Sequence, residues 1–167
     1  VAMAPRPPRS DSRTVIALCL AALTGTATAR LELPHGRFTL AWVHSIEKVE
    51  WQEDWQVTTA GLVAGEARVK GSGAGMEPAD DAVPRQGWYV WTRHQPPLPG
   101  LILARSDAVA DHRLCVGTDC RPLSALVAGD GPVSLTACHT GEPLKGLAVS
   151  PLAGRGLRPL GRRLNGG

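Results

Sequence analysis

Residues 49–57 read VEWQEDWQV. In an extended chain successive side chains point to opposite faces. Val49, Trp51, Glu53, Trp55 and Val57 then share one side, and Glu50, Gln52, Asp54 and Gln56 share the other. Alternation over nine residues is a strand signal, apolar side in and polar side out. Glu53 breaks the pattern, because it stands on the tryptophan-bearing face. If that face is inward, its carboxylate needs a partner, and Arg68, Arg93 or Arg105 can supply one. A local irregularity of register that returns Glu53 to water, or a buried ion pair of structural role, is the alternative.

The same period extends outward in both directions. Phe38, Leu40, Trp42 and His44 share a face of FTLAWVH. LVAGEARV reads as a hairpin turning near Ala64-Gly65, GWYVWTRH and LILARS as further strands, and RLCVGTDCRPL as a closing hairpin. Gly61, Gly65, Pro84, Gly87, Pro99-Gly100 and Gly117 punctuate these runs at short spacing. SALVAG provides one helical turn, and no amphipathic helix of ordinary length occurs between residues 30 and 122. The expected class is all-β, an antiparallel β-sandwich or partly open barrel of short strands. Aromatic content is 4%, so the core is mainly aliphatic. All five tryptophans fall between Trp42 and Trp91, where burial is expected to be densest.

The two ends read differently. Arg6, Arg9 and Arg13 precede the apolar run VIALCLAAL at Val15–Leu23, and TGTATA ends in Ala27-Thr28-Ala29. This is the layout of a secretory signal peptide over residues 1–29, cleaved after Ala29, and it implies a periplasmic or secreted protein. N-terminal anchoring is the alternative, but the run is shorter than the roughly 20 apolar residues of a membrane-spanning helix. Cleavage would remove Cys19 and leave Cys115, Cys120 and Cys138. Cys115 and Cys120 flank Val116-Gly117-Thr118-Asp119, so in an oxidising compartment they can close a disulfide across a hairpin. A zinc site would need a second ligand pair that Cys138-His139 does not complete. Cys138 is then expected to be a free thiol. Residues 30–130 form the β-rich domain, and residues 131–167, rich in Gly, Pro, Leu and Arg toward their end, are expected to be a disordered tail. The full chain carries a net charge of +3, yet residues 30–142 hold ten basic and fourteen acidic residues, a net of −4. An acidic body argues against nucleic acid as a partner.

KGSGAGMEP at residues 70–78 places glycine at positions 71, 73 and 75. A Walker loop ends in Gly-Lys-Ser/Thr, whereas Lys70 precedes these glycines. A dinucleotide fingerprint needs a glycine at position 76, which is Met76, and a helix start after it. Glycine in an extended segment instead marks a bulge or the close approach of a ligand or another backbone, and successive free N–H groups can form an anion nest. The other polar stretch is His44-Ser45-Ile46-Glu47. Adjacent strand residues face opposite ways, so His44 is poorly placed to activate Ser45. A hydrolase would draw its histidine from elsewhere, and a metal set of His44, Glu47, Glu77 and His94 lacks a diagnostic spacing.

WVHSIEKVEWQEDWQV followed by EARVKGSGAGMEP resembles the bacterial family catalogued as domain of unknown function 1850. The matching positions are His44, Ser45, Ile46 and Glu47, then Glu53 and Trp55, then Gly73, Ala74, Gly75 and Met76. LILARS and the CVGTDC hairpin also fit, so the resemblance spans roughly Arg37 to Leu126. Many relatives carry an aromatic where this chain has Ser72. The resemblance implies a small exported protein without assigned enzymatic activity, often encoded beside TRAP-type permeases that work with TAXI-class receptors. The expectation is an accessory or binding protein of such a solute uptake system, without catalysis, cofactor or metal. Its partner would be the permease, the receptor or a small organic solute. The binding site would comprise His44, Ser45, Glu47, Glu53 and the Gly73–Met76 segment. The rival is a periplasmic hydrolase or metal-dependent enzyme using His44 and a nearby carboxylate.

Overall fold

VEWQEDWQV lies at the centre of the larger of two sheets. In the computed structural model, which describes residues 16–44, 48–71 and 78–141, the chain runs β1 (Ile16–Ala22), β2 (Thr28–Glu32), β3 (Arg37–Val43), β4 (Glu50–Thr58), β5 (Gly61–Val69), β6 (Val83–Arg85), β7 (Trp88–Thr92), β8 (Leu101–Leu103), β9 (Arg113–Val116), β10 (Asp119–Pro122), a helical turn α1 (Leu123–Leu126) and β11 (Val133–His139). Seven strands pair antiparallel in the order β10-β9-β3-β4-β5-β7-β6, and four in the order β2-β1-β11-β8. The sheets face each other as an all-β sandwich and do not close into a barrel.

The alternation of the sequence becomes the two faces of the large sheet. Phe38 pairs with Trp55, Leu40 with Glu53, and Trp42 with Trp51 across β3 and β4. Leu18 and Leu20 from β1 and Val133 and Leu135 from β11 close over Phe38, Leu40, Trp55, Val57 and Leu62. Leu18, Leu20, Leu40, Leu62, Leu114, Leu123 and Leu135 are all at or below 2% exposure. Each such side chain contributes about 1.5–3 kcal/mol by leaving water. On the opposite face the polar residues satisfy one another: Thr39 donates to Asp54 at 2.6 Å, and Arg68 donates to Gln52 at 2.7 Å and to Asp54 at 2.8 Å.

LVAGEARV is not a hairpin. The turn falls earlier, at Thr59-Ala60, and Ala64-Gly65 lies inside a continuous β5. Glu53 pairs with Ala67 but Trp55 pairs with Ala64, so Gly65 and Glu66 together oppose the single residue Asp54. This is a β-bulge, and a glycine within a strand is its usual sequence mark. The extra residue moves the inward face from Leu62 and Ala64 to Ala67 and Val69. Gly61 starts the strand with a positive φ of 121°, and a Cβ there would collide with the Leu98 carbonyl. Leu62 and Leu98 exchange backbone bonds at 2.8 Å at that point, which docks the crossover that leads to β8.

Segments near both ends of the chain take part in the smaller sheet. The apolar run of the export-signal reading forms β1, flanked by β2 and β11 in the smaller sheet, with Ala17 to Ala21 at or below 5% exposure. Cleavage after Ala29 would remove β1 and cut β2 of this sheet. The strand β11 lies beyond the expected domain end at residue 130, inside what reads as the start of a tail. Residues 142–167 of that tail lie outside the described residues. Cys138 is not a free thiol: it is bonded to Cys19, joining β11 to β1 across a separation of 119 residues. Cys115 and Cys120 are bonded across the β9–β10 hairpin, as the spacing suggests.

Cross-linking constrains the unfolded chain more as the closed loop lengthens. Cys138→Ala in the full chain is therefore expected to lower stability by about 2–5 kcal/mol, and Cys120→Ala by less. Denaturant titration without reductant checks the order. A silent Cys138→Ala, or a purified protein whose intact mass lacks Cys19, would remove the fold's β1–β11 tether.

Candidate functional site

Both polar stretches singled out in the sequence leave the large sheet at one end of β4. His44 follows β3 and its amide donates to the Val49 carbonyl at 2.9 Å, while the Lys48 amide donates back to the His44 carbonyl at 3.0 Å. Lys48 has a φ of 55°, a left-handed conformation that a non-glycine residue adopts rarely. On the other side of β4, the Lys70 amide donates to the Glu50 carbonyl at 2.9 Å, and Gly71 follows with a φ of 92°. The described residues next to both motifs, His44 and Lys70, thus bond to the neighbouring residues Val49 and Glu50 at the start of β4. Ser45, Glu47, Gly73, Ala74, Gly75 and Met76 themselves lie outside the described residues. Of the predicted site, the structure places His44 and Glu53.

Glu53 has a structural partner. Arg93, just past β7, forms an ion pair with it at 2.9 Å, with side-chain exposures of 15% for Arg93 and 24% for Glu53. The same guanidinium donates to the Asp54 carbonyl at 3.0 Å and lies over the Trp55 ring at 4.4 Å. Trp55 Nε1 in turn donates to Glu53 at 3.3 Å. The carboxylate on the tryptophan face is therefore held by Arg93, one of the three arginines the sequence offered.

Sequence reasoning missed the aromatic group at this end. Trp42 stacks on Trp51 at 6.1 Å between ring centroids, Trp91 meets Trp51 edge-on at 5.6 Å, and His112 lies 5.7 Å from Trp42. Lys70 sits over Trp88 at 5.9 Å. Trp51 is 8% exposed, and its Nε1 is buried with no hydrogen-bond partner. The clustering of tryptophans in the sequence was the available signal, but it pointed to the densest core. The core between the sheets instead centres on leucine, and most of the indoles gather at the loop-bearing end.

A shallow, open hollow of about 450 Å³ lies on the other face of the large sheet, floored by Thr39, Asp54, Gln56 and Gly65 beside Cys115. It contains Asp54 but not His44 or Glu53. Among the described residues, no group of three or more His, Cys, Asp or Glu side chains is placed to hold a metal ion.

The family described as Domain of unknown function (DUF1850) matches residues 38–123. The match covers β3 to the start of α1, and so takes in the larger sheet with both loop anchors. No curated protein and no solved structure matches the chain.

Burial holds the His112 imidazole below its ordinary value of 6.5, against the opposing pull of Asp111 and Glu53. A folded pKa below the unfolded one means that the unfolded chain takes up the proton first. The stability this site contributes is complete above about pH 6.5 and drains as pH falls from there through the folded pKa. Denaturation midpoints measured from about pH 8 down to pH 5 are expected to fall less steeply for His112→Gln than for the parent. Parallel slopes would show that other groups govern the acid limb.

Proposed function

This chain belongs to the DUF1850 family, and from that membership we propose that it is an exported, non-catalytic binding module serving a TRAP-type solute uptake system. The pairing with a TRAP permease or a TAXI-class receptor rests on the family resemblance. A small organic solute is the further ligand this reading allows. Export is supported by two disulfides, which form and persist in oxidising compartments. The exported form in this reading retains β1, so cleavage after Ala29 is not part of it. No helix among the described residues is long and apolar enough to cross a membrane.

Trp51 carries the binding reading. A buried donor without an acceptor costs about 1–3 kcal/mol, and natural folds keep few of them. This one stands within the indole group at the end of β4 where both motif segments depart. A ligand or partner that brings an oxygen acceptor to that end recovers the cost and stacks on aromatic surface. Tryptophan is also among the residues that most often dominate binding energy at interfaces. His44 and the neighbouring backbone supply further directional groups.

Trp51→Phe keeps an aromatic ring and deletes the donor. The immobilised domain is expected to capture co-expressed transporter components from detergent extracts. The variant should keep its melting temperature within about 5 °C and lose most of that capture. Undiminished capture by a folded Trp51→Phe variant would move the interface away from this end. Absence of capture by the parent would count against the accessory role itself.

A further inference from the structure

A second polar site lies between the segment after β8 and the link from α1 to β11. Arg105 donates from Nε to the Gly131 carbonyl and from Nη1 to the Val127 carbonyl, both at 2.8 Å. Its Nη2 is buried and has no partner. Asp111 accepts the Ser124 amide on Oδ2 at 2.7 Å, and its Oδ1 is likewise buried without a partner. Both residues line one hollow of about 200 Å³, together with Ser106, Asp107, Ser124 and Asp130. Gly129 adjoins the guanidinium: a Cβ there would stand 4.0 Å from Nη2, an ordinary contact.

Two orphaned groups of opposite character in one cavity are an uncommon arrangement. A lone unsatisfied charged group costs more than a neutral one, and here a buried cationic donor and a buried anionic acceptor both lack a partner. They form no ion pair with each other among the described residues. Each is held in place by its other atoms: two carbonyls fix the guanidinium plane, and a backbone amide fixes the carboxylate. We propose that this hollow binds a small zwitterion of the α-amino acid class. Its carboxylate would accept from Arg105 Nη2, and its ammonium would donate to Asp111 Oδ1. Charge-assisted hydrogen bonds of this kind are roughly twice as strong as neutral ones. Asp107 and Asp130 add negative charge at the rim, which favours the ammonium end and excludes a simple dianion. The hollow of about 200 Å³ has room for a compact amino acid. The proposal is independent of the indole end and of any transporter partner.

Calorimetric titration of the full chain with glycine, acetate and methylammonium separates the possibilities. Glycine is expected to bind at least about tenfold more tightly than either half-molecule, a difference of about 1.4 kcal/mol. Asp111→Asn retains an oxygen for the Ser124 amide but turns a donor toward the ammonium, and is expected to weaken glycine at least tenfold with the melting temperature kept. If that variant does not fold, the comparison of glycine with its halves on the parent protein decides alone. No saturable heat from glycine up to about 10 mM would overturn the proposal and leave water as the occupant. Acetate binding as tightly as glycine would also overturn it, since the site would then read anions only.

Discussion

The large sheet depends on the way one arginine closes a bulge. Where Gly65 and Glu66 together face Asp54, the ladder between β4 and β5 loses its regular pairing. A strand interrupted in this way leaves carbonyls that need donors. Arg93 supplies them: its backbone amide reaches the Gly65 carbonyl at 3.1 Å, and its guanidinium reaches the Asp54 carbonyl at 3.0 Å. The positive charge thereby drawn onto the core-facing side requires a counter-charge, and Glu53 is that counter-charge. Trp55 then serves as the platform on which the guanidinium lies. The one acid on the tryptophan face follows from a bulge one residue away.

That bulge also organises the two halves of the sheet. Before it, β5 turns Leu62 and Ala64 inward against β1 and β11, in the leucine core. After it, Ala67 and Val69 turn inward instead, and opposite them stand Trp51 and Trp91. Without the extra residue, Ala67 and Val69 would point outward with Arg68 turned inward, because a shift of one residue exchanges the faces of a strand. The aromatic end and the apolar end are thus parts of one sheet kept in phase by Gly65. A Cβ at that glycine would stand 3.2 Å from the Asp54 carbonyl, so the tight approach of the two backbones is what a side chain would disturb.

The sequence carried most of the large sheet and little of its site. Alternation placed β3, β4 and β7, and the turn-like Val116–Asp119 stretch between the two cysteines placed the β9–β10 hairpin, whose outer strand β10 is exposed throughout. It failed at Ala64-Gly65, because a glycine inside an alternating run marks a turn or a bulge equally well, and only the pairing of β4 with both halves of β5 decides. Glu53 was legible as an anomaly, and its partner was among three named arginines. The indole group was not legible as such. Trp42, Trp51 and Trp91 come from three strands, and their meeting is set by register. The Arg105–Asp111 hollow was invisible for a related reason: its members come from two connecting segments that carry no period.

The smaller sheet shows why a buried strand and an export signal read alike in sequence. A strand covered on both faces reads as an unbroken apolar run, and periodicity of polarity cannot separate it from other apolar segments. Size alternation can. In β1, Leu18 and Leu20 alternate with Ala17, Cys19 and Ala21. The leucines enter the core between the sheets, and the small residues lie on the other side, still almost fully buried. The apolar stretch of a signal peptide has no reason to keep large and small residues on separate faces, whereas a strand filling a sandwich does. The cysteines argue the same way. Cys19 lies on the small-residue face, next to β11, and its bond to Cys138 needs both strands present. Counting Cys19 as removed left an odd thiol in an oxidising compartment; counting it as retained pairs all four and ties the first described strand to the last.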